Sequence, residues 1–186
     1  MKLREHQVTL QGERVVLHPM TEQDWDLLVK WNNDPIVLHY AEGDDVSSYS
    51  REQVQAIYRG VSQQALCFIM QVGGKPIGEC WLQQMNLKRI LQRHPGLDCR
   101  RIDLIIGEKA HWGRGLGTEV IRLLTHFAFE SEQADLVFGC DIADDNPASL
   151  KAFQKVGYQV LNKIGQPPGD KVRHRYDLVL AKEQYR

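Results

Sequence analysis

The segment Trp112-Gly-Arg-Gly-Leu-Gly-Thr118 constrains this chain more than any other. A β-branched run, Arg101-Ile-Asp-Leu-Ile-Ile-Gly107, delivers the chain to it. An apolar pattern of helical period, carried by Leu116, Val120, Leu123, Leu124 and Phe127, leaves it and runs to about Glu132. Glycines take positive φ without penalty and let backbone approach a ligand closely. A helix start adds unpaired N–H groups and the positive end of its dipole. Strand, glycine loop and helix start together describe a pyrophosphate site, and so a nucleotide-bearing cofactor. The spacing excludes two familiar versions. Gly113, Gly115 and Gly117 alternate and position 118 is Thr, so the G-x-G-x-x-G dinucleotide fingerprint fails; the Gly-Lys-Ser/Thr of a Walker loop is missing. The plainer alternative is a helix start that merely packs tightly.

Composition narrows the setting. A chain of 186 residues is the length of one domain, 1–186, able to bury a core without staples. An apolar fraction of 42% and a charged fraction of 25% are ordinary globular values, which excludes disordered and collagen-like chains. Lys+Arg of 23 against Asp+Glu of 24 leaves a net charge of −1 and no electrostatic footprint for nucleic acid. Cys67, Cys80, Cys99 and Cys140 form no CxxC pair, and three lie in apolar stretches, so they read as reduced core thiols of a cytoplasmic protein. Met1–Leu10 lacks a secretory apolar region and no run is long enough to span a membrane. Glu108 and His111 have no third partner at helical spacing, so no metal is expected.

Along the chain, Arg14–Met20 reads as a strand ending near Pro19. Thr21 and Asp24 look like a capping box for a helix carrying Trp25, Leu28, Val29 and Trp31, which Asn32-Asn-Asp-Pro35 stops. A second helix starts near Ser50 and presents Val54, Ile57, Tyr58 and Val61. Leu66–Val72 and Pro76–Leu82 flank Gly73-Gly74 as a hairpin. Residues 85–100 are polar and basic and give no clear pattern. A strand at Leu136–Asp141 precedes a helix with Asn146 at its N-cap, Pro147 at N1 and Gly157 past its end. Tyr158–Ile164 and Val172–Leu180 complete the strands. The pattern is an α/β sandwich with a mixed sheet.

These motifs resemble the GNAT superfamily of N-acetyltransferases. Gly113–Thr118 after strand 101–107 resembles its acyl-CoA pyrophosphate loop, and Asn146-Pro-Ala-Ser-Leu-Lys-Ala-Phe-Gln-Lys-Val-Gly-Tyr158 resembles its second motif. The likeness covers nearly the whole chain in the expected element order. It implies an α/β (α+β) three-layer sandwich: a mixed, largely antiparallel sheet of six to seven strands with helices on both faces. It also implies acetyl-CoA as co-substrate, gripped by Trp112, Gly113, Arg114, Gly115, Leu116, Gly117 and Thr118, with Asn146 and Ser149 lining the cofactor arm. In that fold the strand before the loop splays from its neighbour, so Ile105 and Ile106 lie along the pantetheine. Two positions depart from the family: Trp112 stands where Arg or Gln is usual, and Phe153 where many relatives carry a Tyr thought to protonate the departing thiolate.

Within the superfamily the chain is most similar to the aminoglycoside 6′-N-acetyltransferase branch, in Met20–Asp24, Trp31–Asn33, the Tyr40–Asp45 loop, Lys75–Gly78, Ile102-Asp103 and Gly113–Gly117. The stretches from Ile102 to the glycine loop and from Asp141 to Gly157 match without gaps. That likeness implicates the acids at Asp103 and Asp141 in holding a polycationic acceptor and activating its amine; the chemistry expected is Asp141 as the proton acceptor, Asp103 orienting the ammonium and Glu108 as a reserve base. Both aspartates have plainer readings, a loop or capping acid and a polar residue on a half-solvated strand. Tyr40 either lines the acceptor pocket or does not. Glu42, Asp44 and Asp45 form either an acidic rim or an ordinary solvated loop. The expected enzyme transfers acetyl to a primary amine of a small cationic molecule, as a cytoplasmic monomer or homodimer without nucleic-acid or membrane partners. A ribosomal-protein-type N-terminal or lysine acetyltransferase is the alternative acceptor class, since that branch is similar in the C-terminal half. An acyl-CoA-binding sensor is the non-enzymatic alternative.

Overall fold

The computed structural model describes residues 1–42, 48–170 and 172–185, apart from the side chain of Glu42. In chain order its elements are β1 (Leu10–Gln11), β2 (Val15–Pro19), α1 (Trp25–Trp31), α2 (Pro35–Glu42), α3 (Arg51–Val61), β3 (Ala65–Val72), β4 (Lys75–Gln84), α4 (Lys88–Leu91), β5 (Cys99–Ile105), α5 (Leu116–Glu130), β6 (Leu136–Ala143), α6 (Pro147–Val156), β7 (Gln159–Gly165) and β8 (His174–Ala181). The strands order as β1-β2-β3-β4-β5-β6-β8-β7 in one sheet. β5 pairs with β6 in parallel, whereas β1 with β2, β2 with β3, β6 with β8 and β7 with β8 are antiparallel. The expected mixed, largely antiparallel sheet is therefore present, with eight strands instead of six to seven. The extra one is β1, two residues too short to carry an alternating pattern. No helix among the described residues is long and apolar enough to cross a membrane.

The chain forms two compact units, Met1–Trp81 with Leu104–Leu116, and Leu82–Asp103 with Gly117–Arg186. In the first, α1 buries Trp25, Leu28 and Trp31, one residue per turn, against Val54 and Tyr58 of α3 and Cys67 and Ile69 of β3. Ser50 caps α3 with a full capping box, its side chain accepting from the Gln53 amide while Gln53 reaches back. Gly73 and Gly74 turn the β3–β4 hairpin with φ of +55° and +75°, as a two-residue hairpin turn requires. The start of α1 differs from expectation. Asp24, not Thr21, is the N-cap, and Thr21 donates its amide and hydroxyl to Asp24 Oδ2 at 2.7 and 3.0 Å, closing a turn ahead of the helix. The segment Asn32–Pro35 ends α1 but also begins α2. Asp34 Oδ1 accepts from the amides of Ile36 and Val37, and Pro35 takes the first helical position, where its missing N–H costs nothing.

In the second unit, α5 turns Val120, Ile121, Leu124, Ala128 and Phe129 inward. Its seam is rotated from the expected one: Leu123 and Phe127 are only half-buried, because Ile121 and Phe129 occupy the core side. Asn146 caps α6 through its Oδ1, which accepts from the Ser149 amide at 3.1 Å, and Gly157 ends it at φ +112°. Phe153 of α6 brings the far edge of its ring against Gly139 of β6, where a Cβ would lie 2.6 Å from Cζ. All four cysteines are unpaired and buried, and burial pushes each thiol upward, that of Cys67 to about 12.

Candidate active site

The glycine loop belongs, through Leu116, to the first unit. Gly113 and Gly115 sit at φ +71° and +77°, in the left-handed region that side chains with a Cβ rarely adopt. Space beside them is open: a Cβ on Gly113 would meet nothing within 4 Å, and one on Gly115 would meet only Arg14 Nη2 at 3.6 Å. Tight packing therefore does not explain these glycines. Their positive φ and exposure leave the loop backbone open to solvent. Leu116 is buried and pins the far end.

The chain entering the loop is held firmly. Gly78 of β4 lets the Ile105–Ile106 backbone come so close that a Cβ there would lie 2.1 Å from the Ile105 carbonyl oxygen. Gly107 lies against the Trp31 indole in the same way, its notional Cβ 2.1 Å from Cγ. Glu108 donates its amide to the Ile77 carbonyl at 2.9 Å. Trp112, the unusual first residue of the loop, donates its indole N–H to the Ile106 carbonyl at 2.7 Å and so braces the loop entrance. The Tyr40 ring packs edge-on against Trp112 at 5.7 Å, which brings that candidate acceptor residue to the loop. The rim candidates Asp44 and Asp45, and the side chain of Glu42, lie outside the described residues.

Glu108 Oε1 accepts from Lys30 Nζ at 2.5 Å and from Trp31 Nε1 at 2.8 Å. The Lys30 contact, followed by that of Trp31, holds its carboxyl below the usual range. A general base works best with a pKa near the working pH, so this geometry suits a brace between α1 and the loop approach better than the reserve base expected from the sequence. Lys109, in the 3-10 turn that follows, pairs with Asp34.

In the second unit each of the two expected aspartates is paired with an arginine. The paired register of β5 with β6 ends at Arg101↔Phe138, and Asp103 stands beyond it. Both its oxygens are gripped by Arg101, at 2.8 Å from Nε and 2.5 Å from Nη2. Asp141 occupies a bulge of β6 between Gly139 and Ile142, at φ +56°. Such a bulge re-aims a side chain, and aspartate tolerates this conformation better than most residues. Arg89 of α4 donates to Asp141 Oδ1 at 2.7 Å and, through Nη2 and Nε, to Asp177 of β8 at 2.8 and 2.9 Å. Asp177 is fully buried and also accepts from Asn162 Nδ2 and the bulged Asp141 amide. Burial alone would raise its carboxyl, but those donors outweigh it and hold it below the ordinary value.

Arg89, Arg101 and Asp177 were absent from the sequence-based candidates. Arg89 lies in the polar stretch that carried no pattern. Asp177 had a usable signal: a lone acid inside the apolar run Tyr176-Asp-Leu-Val-Leu180 is rarely buried without a cation. Asn146 is accounted for as a helix cap, with Ser149 as the amide it receives. Gly117 and Thr118 occupy the first turn of α5. Among the described residues no cluster of three His, Cys, Asp or Glu could hold a metal.

A mixed α/β sheet with an open glycine loop at a helix start defines a class that binds a diphosphate-bearing ligand. The acetyltransferase (GNAT) domain family matches residues 14–159, most of the chain, and the protein belongs to that family of acetyltransferases. The aminoglycoside N(6′)-acetyltransferase type 1 of Klebsiella pneumoniae is 23% identical over 178 residues, 89% of this chain and 84% of the relative. Among solved structures, AAC(6′)-Ib in complex with ribostamycin and coenzyme A shares the fold at a TM-score of 0.73 and 19% identity, covering 92% of this chain and 96% of that one. Spermidine N-acetyltransferase from Vibrio cholerae, in complex with CoA and spermine, gives a TM-score of 0.74 at 14% identity, covering 94% and 99%.

Proposed function

We propose that this protein transfers acetyl from acetyl-CoA to a primary amine of a small cationic acceptor, an aminoglycoside or polyamine. The open, positive-φ cradle at Gly113 and Gly115, inside the span of the acetyltransferase family, carries this reading. Amides of the glycine loop hold the diphosphate. A primary ammonium has a pKa near ~10 and must lose a proton before attack. Asp141 takes that proton, directly or through water, and Asp103 orients the cation. The amine nitrogen then bonds the acetyl carbonyl carbon, the carbon–sulfur bond breaks, CoA leaves as the thiolate, and the nitrogen gives up its second proton to water, leaving the neutral amide. Phe153 supplies no proton to it; its ring is buried against Gly139 and the Tyr158 ring. Most of the acceleration comes from holding amine and thioester together.

A second acceptor, the N-terminal amine of a protein, is supported by one observation. Arg101 already grips both oxygens of Asp103, so a polycation held there must displace or share it, whereas a single amine attacking beside Asp141 needs no second carboxylate. Acceptor-dependent release of free thiol from acetyl-CoA, screened over aminoglycosides, polyamines and N-terminal peptides, separates the two. Turnover with kanamycin-type compounds or spermidine supports the first reading; turnover with peptides alone replaces it.

A further inference from the structure

We infer that Arg14 is a positioning residue of the glycine loop, aiming the Gly115 amide at the coenzyme diphosphate; this rests on the acetyl-CoA reading above. Arg14 immediately precedes β2, whose Val15 and Leu17 are fully buried and paired to Val72 and Met70 of β3, so its backbone is rigid. Its guanidinium crosses to the loop. Nη1 donates to the Arg114 carbonyl oxygen at 2.9 Å, and Nη2 lies 3.6 Å from the position a Gly115 Cβ would take.

The consequence follows from peptide geometry. The Arg114 carbonyl and the Gly115 N–H belong to one planar trans unit and point in opposite directions. Drawing the oxygen toward Arg14 therefore turns the Gly115 N–H away from it. Glycine tolerates φ of either sign, so the Arg114–Gly115 plane has little intrinsic preference between its two flips. A charge-assisted hydrogen bond of 2.9 Å selects one of them. The loop thus gains the freedom its shape needs from Gly115 and loses the associated disorder through a residue 100 positions away. The chain that reaches the diphosphate is preorganised before the ligand arrives, which is where such a contact contributes to affinity.

The test compares wild type with R14A and R14K by calorimetric titration with CoA, and by thiol release from acetyl-CoA and from acetyl-pantetheine, which lacks the diphosphate. R14A should bind CoA about tenfold more weakly, the scale of one charged hydrogen bond. Its KM for acetyl-CoA should rise while turnover with acetyl-pantetheine and the thermal midpoint stay as in wild type. R14K should recover most of the loss. The gap should persist at high salt, where a mere attraction between Arg14 and phosphate is screened. Unchanged CoA affinity in R14A, equal loss with both thioesters, or a gap that vanishes in salt overturns the inference. Wild type failing to bind CoA overturns the acetyl-CoA reading itself, a result distinct from wild type binding and R14A binding equally well.

Discussion

Arg89 Nη2 lies 2.7 Å from Asp141 Oδ1 and 2.8 Å from Asp177 Oδ1, so one guanidinium joins a part-exposed carboxylate to a fully buried one. The two acids need it differently. Asp141 is 38% exposed and can exchange Arg89 for water or an acceptor ammonium, whereas Asp177 is at 0% and cannot. Arg89 therefore anchors on Asp177, and Asp141 is the mobile partner with which chemistry can compete.

Asp141→Asn keeps the shape and removes the proposed proton acceptor. Turnover should fall by about 10²–10⁴, the usual contribution of a positioned base, with CoA affinity unchanged. Steady-state kinetics beside a CoA titration reads both numbers; wild-type turnover in the variant removes Asp141 from the mechanism.

Arg89→Ala strands the Asp177 carboxylate in the interior. Arg89 is part-exposed and Asp177 keeps the Asn162 and Asp141 donors, so the loss is smaller than for a fully buried pair, but the urea midpoint should still drop at pH 7. The sign with pH follows from the depressed Asp177 carboxyl. Its stabilisation is complete above the unfolded value of 3.8 and is lost as pH falls through the lower folded value. The gap between wild type and variant should thus be widest near neutrality and close in acid. A pH-independent gap would assign the loss to packing.

Glu108→Gln tests the brace. Its carboxyl is held low by Lys30 and Trp31, so its contribution to stability is present above the unfolded 4.5 and fades as pH falls below it. Turnover should stay within severalfold of wild type and the acid limb of the rate profile should not move. A shift of that limb would restore Glu108 as a base.

Gly139→Ala drives a methyl to 2.6 Å from the Phe153 ring, and overpacking of this kind costs about 1–3 kcal/mol. Phe153→Leu should relieve part of it, giving a favourable coupling in a double-mutant cycle by chemical denaturation. Additive losses would mean that β6 moves instead of the ring.

What the sequence revealed and what it hid have a common cause in range. Local signals were legible: the Ser50 cap, the Gly73-Gly74 turn, the Asn146–Gly157 helix and the glycine loop each depend on residues a few positions apart. Asn32–Pro35 was ambiguous because a proline that stops one helix also opens the next. The seam of α5 was misplaced because Leu123, Leu124, Phe127 and Phe129 are all apolar and only packing chooses among them. The partner of Asp141 was out of reach for a related reason: Arg89 is 52 positions away, and nothing local marks their meeting, whereas Arg101 stands only two positions from Asp103.

The most direct measurement is a calorimetric titration of the intact protein with acetyl-CoA. Saturable heat at one coenzyme per chain, abolished or much weakened when Gly115 is replaced by Val, is the expected result. No heat with either acetyl-CoA or CoA contradicts the account.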